Sequence, residues 1–429
     1  MKRSWLGWSM CLLVFLWGTH LSMVGCVTPG PVSEESASES TSGTESSTEQ
    51  VADGSAETIA EPVAETVAET VAEPAAEQTS DAGESIPEVV AEVTPETQIG
   101  PFDGTPIQAA EKTWTWVDFP DTKCGYGSPT GLGVNLVPGA KRLLIYMQGG
   151  GACWLESGII GSCFQNSSAS NLNGFSKTQF EGMSGTKTLF FDRNASTNVF
   201  ADAHFVFIPY CTGDVYTGDK ETKFPNGKTM YFHGHKNMLA YFKRLVPTFK
   251  DVEHVIISGS SAGGFGSSMN WWLAQHAFGD KIKVDLLNDS GPPMNPVPGR
   301  WEEWVKAWNM QLPPGCTDCT QGIDKILTFF EKNLLAKGRK MGFLGHDRDQ
   351  VIRTFFGYLD GKGDAYKAEH DKLLTRLDAL TNVAYFVLAG TTHTFFGDPA
   401  SFTGTDGTVL PLWVERMVKA DPAWKSTKP

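Results

Sequence analysis

Short apolar runs that alternate with amphipathic stretches predict an α/β chain built on a mostly parallel sheet with helices on both faces. Two further observations sharpen this. Glycine and serine cluster at 259–263, between an apolar run and a helix-compatible one. The residues able to do chemistry fall directly after other apolar runs, where open α/β sheets gather their functional loops.

The first hundred residues differ in character. Lys2 and Arg3 precede an apolar run from Trp5 to Trp17, and Met23-Val24-Gly25-Cys26 lies shortly beyond it. This reads as a lipoprotein-type signal peptide over 1–25: the run is too short to span a bilayer, and a strongly polar stretch succeeds it. Cys26 is then the expected lipidation site, a membrane anchor. The alternative is an ordinary signal that leaves a secreted chain with a free thiol. Residues 26–100 read as an acidic disordered tether: from 27 onward they hold 17 acidic side chains and no Lys or Arg, so ordering them is not offset by apolar burial. The chain carries a net charge of −14, and removing the tether and the two basic residues before it leaves 101–429 at about +1. That balance gives no reason to expect a nucleic-acid partner. Residues 101–429 are long enough for one domain, a single large α/β core or a core with a substantial cap, expected to be monomeric and to need no cofactor or metal.

Within 101–429 the elements come in order. Lys141–Met147 reads as a strand that ends at Gln148-Gly149-Gly150-Gly151, and Phe205–Pro209 as one that runs into Tyr210-Cys211-Thr212-Gly213-Asp214. Met238, Leu239, Phe242 and Leu245 share a face of a helix over 236–245. Val255–Ser258 is the strand before the serine cluster, and Ser267–Phe278 is helix-compatible. Lys283–Leu287 is a strand opening into Asn288-Asp289-Ser290-Gly291. After an excursion rich in Trp, Pro and Cys to about Gly322 come a helix over 326–335 and two last strands, 341–344 and 384–388. Six cysteines remain in this part, and an even count in an exported chain predicts disulfides. The expected pairs are Cys153 with Cys163, Cys124 with Cys211, and Cys316 with Cys319. The last two could instead form a redox pair or half a zinc site, although no second such pair exists.

Gly259-Ser260-Ser261-Ala262-Gly263 places a serine where a buried strand turns sharply into a helix, the setting of a nucleophile elbow. A hydroxyl becomes a useful nucleophile at neutral pH only when a base removes its proton during attack. His393, just after the last strand, is the expected base, and a carboxylate must orient it. Asp349 is preferred because it stands before Val351-Ile352, at the start of a helix; its plain alternative is a helix cap. Asp347 and Asp289 are competitors for the acid. The N–H groups of Gly151, Ala152 and Ala262 are expected to form the oxyanion hole. His346 is a weaker candidate base. His233 and His235 have metal-compatible spacing, but helix entry or pocket lining is the better reading. Trp154, Phe265, Phe395 and Phe396 are candidate pocket walls.

Gly149-Gly150-Gly151, Pro209-Tyr210-Cys211-Thr212-Gly213-Asp214-Val215, Gly259-Ser260-Ser261-Ala262-Gly263-Gly264 and Asp289-Ser290-Gly291, in that order, resemble the pectinacetylesterase/Notum family of serine carboxylesterases. The resemblance extends from about Lys123 to Phe396. It implies an α/β-hydrolase-like fold and removal of an acyl group, in the first place acetyl, from a carbohydrate ester, with a lipid ester on a protein as the alternative. It places Ser261 on the family nucleophile and Gly151, Ala152 and Ala262 on its oxyanion hole. The chain departs where the family has tryptophan and then cysteine after the glycines: here Ala152 and Cys153 come first and Trp154 is displaced behind them. A non-catalytic surface-binding protein on the same fold, and a metal hydrolase using His233 and His235, are the rival readings.

Overall fold

The computed structural model describes residues 99–183 and 189–429. The signal over 1–25, Cys26 and the tether up to residue 98 lie outside the described residues. In chain order the strands are β1 (Thr115–Phe119), β2 (Thr130–Asn135), β3 (Arg142–Met147), β4 (His204–Ile208), β5 (Lys220–Lys223), β6 (Thr229–Phe232), β7 (His254–Ser260), β8 (Lys283–Asp289), β9 (Met341–His346) and β10 (Val383–Leu388). The helices are α1 (Lys177–Gly182), α2 (Gly234–Thr248), α3 (Ala262–Met269), α4 (Trp271–Phe278), α5 (Arg300–Trp308), α6 (Ile323–Asn333), α7 (Gln350–Phe356), α8 (Asp364–Asp378) and α9 (Leu410–Val418).

Eight strands form one sheet in the order β1-β2-β4-β3-β7-β8-β9-β10, and β5 pairs with β6 as a separate hairpin. Every neighbour from β4 to β10 is parallel, while β2 runs against both β1 and β4. Period-two alternation sends Leu143, Ile145, Met147, Val255 and Ile257 to one core, with Met238 and Phe242 of α2. Leu144, Ile256, Leu287 and Leu344 go to the other, with Trp413 and Met417 of α9. Both faces of the central strands are thus covered, which is why they read as continuous apolar runs. No helix among the described residues is long and apolar enough to cross a membrane.

The expected strands and disulfides are present: Cys124–Cys211, Cys153–Cys163 and Cys316–Cys319 are bonded. Differences have local causes. Glycines interrupt the apolar pattern of β2, and β5 is the polar string KETK, so neither announces itself as a strand. The helix expected over 236–245 begins earlier and continues through Pro247 in its last turn. The stretch 267–278 is divided at Asn270, whose side-chain amide donates to the carbonyls of Gly266 and Tyr216. The helix expected over 326–335 occupies Ile323–Asn333, and the Trp-rich excursion contains α5.

Close approach of α3 to the sheet depends on glycine. A methyl group on Gly263 would overlap the carbonyl oxygen of Met147, and one on Gly259 the carbonyl of Gly263. Gly263→Ala is therefore expected to destabilise the fold by at least about 2 kcal/mol, since a packed backbone contact must open. Urea unfolding measures this, and an unchanged midpoint contradicts the packing described.

Candidate active site

Ser261 sits between β7 and α3 with φ 59° and ψ −122°, a conformation that L-residues adopt only when their surroundings impose it. Its N–H donates to the carbonyl of Asp289 at 2.8 Å. The side chain is nearly buried and lines a cavity.

Two loops converge beside this turn because β9 and β10 are parallel neighbours, with Leu388 opposite His346. Beyond the strands the pairing continues: Asp347 N donates to Leu388 O, Arg348 N to Gly390 O and Gln350 N to Thr391 O, each at 3.0 Å. This zipper carries Asp349 to His393, with Oδ2 2.8 Å from Nδ1. The carboxylate partner places the imidazole proton on Nδ1 and leaves Nε2 as the basic nitrogen. Oδ1 of Asp349 accepts from the backbone N–H groups of Val351 and Ile352 at 2.9 and 3.0 Å, capping α7. Helix cap and histidine partner were alternatives in the sequence. One carboxylate does both, with different oxygens.

The competing aspartates are occupied elsewhere. Asp347 accepts from Gly390 N at 2.9 Å and faces Arg348 and Lys367. Asp289 is fully buried and accepts from Ser260 Oγ, Ser290 Oγ and the N–H groups of Phe395 and Phe396. Neither bonds a histidine. Burial raises the Asp289 carboxyl above its ordinary range, opposed by these donors. Nε2 of His393 is buried, and no hydrogen bond joins it to Ser261 Oγ or to any other described residue. Such bonds are commonly long before substrate binds.

The oxyanion-hole expectation needs one correction. Gly151 forms an isolated antiparallel bridge with Ala169; in it Ala152 N donates to Ser168 O at 3.2 Å, and Ser170 N to Gly150 O at 2.8 Å. The Ala152 N–H therefore points into the protein. That of Gly151 finds no acceptor among the described residues, and that of Ala262, in the first turn of α3, has none within its helix. These two remain as donors.

Beside Ser261 lies a narrow apolar cavity of about 40 Å³. Trp301, Trp304 and Trp308 of α5 form one wall, and Phe265, Met269 and Phe355 contribute to others. Sequence reasoning passes over these tryptophans, although their spacing of three and four residues marks one helix face. Of the expected wall residues only Phe265 lines it. Trp154 packs behind, 5.5 Å from Trp304, while Phe395 and Phe396 belong to the core on the opposite face of the sheet. Also missed is Asp214, whose buried carboxylate accepts from Thr212 Oγ1, Tyr216 N, Gly218 N and Gly234 N. It holds the turn that puts Val215 into the cavity.

The remaining histidines have other surroundings. His346 stacks on Phe395 at 4.6 Å, and burial lowers its pKa. His233 Nε2 lies 3.2 Å from Glu221, while His235 stacks on Trp272 and burial pushes it down to about 4. The metal-like cluster found among the described residues is Cys316, Asp318 and Cys319, and its thiols are joined in a disulfide.

The fold is α/β-hydrolase-like, and its serine turn, acid loop and histidine loop come after β7, β9 and β10, the chain order of an α/β serine hydrolase. Comparisons agree with this class. Residues 110–310 match the family model of pectinacetylesterases. Palmitoleoyl-protein carboxylesterase notum2 of Xenopus laevis is 29% identical over 177 residues, 39% of this chain and 34% of that protein. Pectin acetylesterase 11 of Arabidopsis thaliana is 28% identical over 160 residues, 36% of this chain and 37% of that one. The chain thus spans about a third of the length of these curated relatives. The crystal structure of the Wnt deacylase Notum from Drosophila superposes with a TM-score of 0.54 and 17% identity, covering 73% of this chain and 95% of that one; at that identity the likeness shows the fold alone. This chain is similar over residues 110–310 to pectinacetylesterases, and over about a third of their length to the Notum and pectin acetylesterase proteins named above.

The two oxygens of Asp349 are separable. Asp349→Asn keeps an oxygen for the cap and is expected to unfold within about 1 kcal/mol of the parent, whereas Asp349→Ala loses about 1–2 kcal/mol with the cap. Denaturant unfolding of the pair checks this, and equal stability of the two variants contradicts the cap.

Proposed function

We propose that the chain is a serine carboxylesterase. The observation that carries this reading is the His393–Asp349 pair at 2.8 Å, on loops tied to the strained Ser261 turn. Ser261 Oγ attacks the acyl carbonyl carbon while its proton passes to His393 Nε2, and Asp349 stabilises the imidazolium that forms. The carbonyl oxygen takes up the negative charge and is met by the N–H groups of Gly151 and Ala262. Collapse releases the alcohol, which receives the proton from His393. Water then attacks the acyl-serine by the same route in reverse, giving the carboxylic acid and free Ser261.

The alcohol is proposed to be a carbohydrate and the acyl group acetyl, in keeping with the match to pectinacetylesterases. The tryptophan-walled cavity favours a second reading. Its apolar lining offers burial to an acyl chain longer than acetyl, and the relatives include palmitoleoyl-protein carboxylesterases. Three disulfides support action in an oxidising compartment. Export by residues 1–25 and anchoring at Cys26 are proposed from the N-terminal sequence.

Ser261→Ala is expected to lower turnover of a short acyl ester by about 10⁴-fold or more and to abolish labelling by an organophosphonate. Wild-type turnover in that variant removes Ser261 from the reaction, and a parent chain that resists the label favours the binding-protein reading. Across p-nitrophenyl esters of increasing chain length, kcat/KM is expected to rise beyond acetyl if the cavity takes the acyl chain. A maximum at acetyl, with acetate released from acetylated polysaccharide, supports the first reading.

A further inference from the structure

Asp289 and Ser260 are register partners on the parallel strands β7 and β8. Their side chains meet at 2.6 Å, and Tyr146 Oη donates to Ser260 Oγ at 3.0 Å. The same carboxylate reaches the other side of the site, accepting from Phe395 N at 3.0 Å and Phe396 N at 3.1 Å. Next to it, Ser290 Oγ accepts from Thr394 N at 3.3 Å. Three non-glycine residues around this carboxylate have positive φ: Ser261 at 59°, Ser290 at 59° and Thr394 at 67°. Each adjoins or forms part of the nucleophile turn, the Asp289 turn or the histidine loop. Conformations of this kind persist only where several bonds hold them together.

We propose that Asp289 is a positioning residue: its carboxylate ties the nucleophile turn to the loop carrying His393, holding Ser261 and His393 in register without touching the substrate. The inference rests on the esterase reading above. Asp289, fully buried, supplies acceptors for two loop amides and two hydroxyls. Weaker links run beside it, from Ser261 N to Asp289 O and from Thr394 N to Ser290 Oγ, and through Tyr146, which bonds Ser260 Oγ and stacks on Phe396; Asp349 holds the imidazole to α7 and not to the serine.

Kinetics on a soluble short p-nitrophenyl ester test this. Asp289→Ala frees the loop and is expected to lower kcat by about 100-fold or more, the scale of a misplacement near 1 Å, with KM within about threefold. Asp289→Asn keeps an oxygen where Oδ2 stands, and Ser260→Ala removes one arm only; each is expected to cost about three- to tenfold in kcat at unchanged KM. In a His393→Ala background Asp289→Asn is expected to cause no further loss, because Asp289 acts through His393. If Asp289→Ala does not fold, the other two variants decide the matter. Wild-type kcat in both overturns the proposal, and so does an equal loss from Asp289→Asn with and without His393. Wild-type turnover in Ser261→Ala sinks the esterase reading itself, so the two failures are distinguishable.

Discussion

The buried carboxylate of Asp289 is the constraint on which the arrangement of this site depends. Parallel pairing of β7 with β8 puts Asp289 opposite Ser260, one residue before the nucleophile candidate. From there it accepts hydrogen bonds from both the serine turn and the histidine loop. A carboxylate is suited to this because it offers several lone pairs and no donor. Its burial is tolerable only because those lone pairs are used. Two loops separated by more than a hundred residues are thereby fixed to one group.

A second fixed point lies on the next pair of strands. The zipper between the 347–350 and 388–391 segments prolongs the parallel register of β9 and β10 past their ends. Asp347 strengthens it through Gly390, and Asp349 spans it to reach His393 while holding the first turn of α7. The histidine loop is therefore gripped from two directions, its ring by Asp349 and its following backbone by Asp289. Both grips come from groups buried in the sheet's end, where water cannot compete for the same bonds.

The cavity is assembled differently. Its floor is the sheet end and α3, but its wall is α5, from a segment between β8 and β9. Trp308 Nε1 donates to Cys153 O at 2.7 Å and Trp301 Nε1 to Cys319 O at 3.0 Å, so disulfide-bonded loops hold the wall at two points. The departure at Ala152-Cys153-Trp154 is accommodated here: the small Ala152 borders the cavity, and Trp154 fills the space behind Trp304 and Trp308.

The sequence by itself determined the α/β class, the central strands and the serine turn, whereas six cysteines allow 15 pairings and the structure settled which three bonds form. Apolar runs buried on both faces and glycines two positions from Ser261 are local signals whose causes lie in the neighbouring residues. The chain order of Ser261, Asp349 and His393 was legible for the same reason, each coming after a readable strand. Only the tertiary structure decided which aspartate meets His393, because Asp289, Asp347 and Asp349 all stand at strand ends and differ only in which neighbouring backbone they face. It also decided that Ala152 turns its N–H away, through a bridge to Ala169 that no local pattern announces. Hydrogen-bond partners and cavity walls come from residues distant along the chain, and strand register, not composition, brings them together.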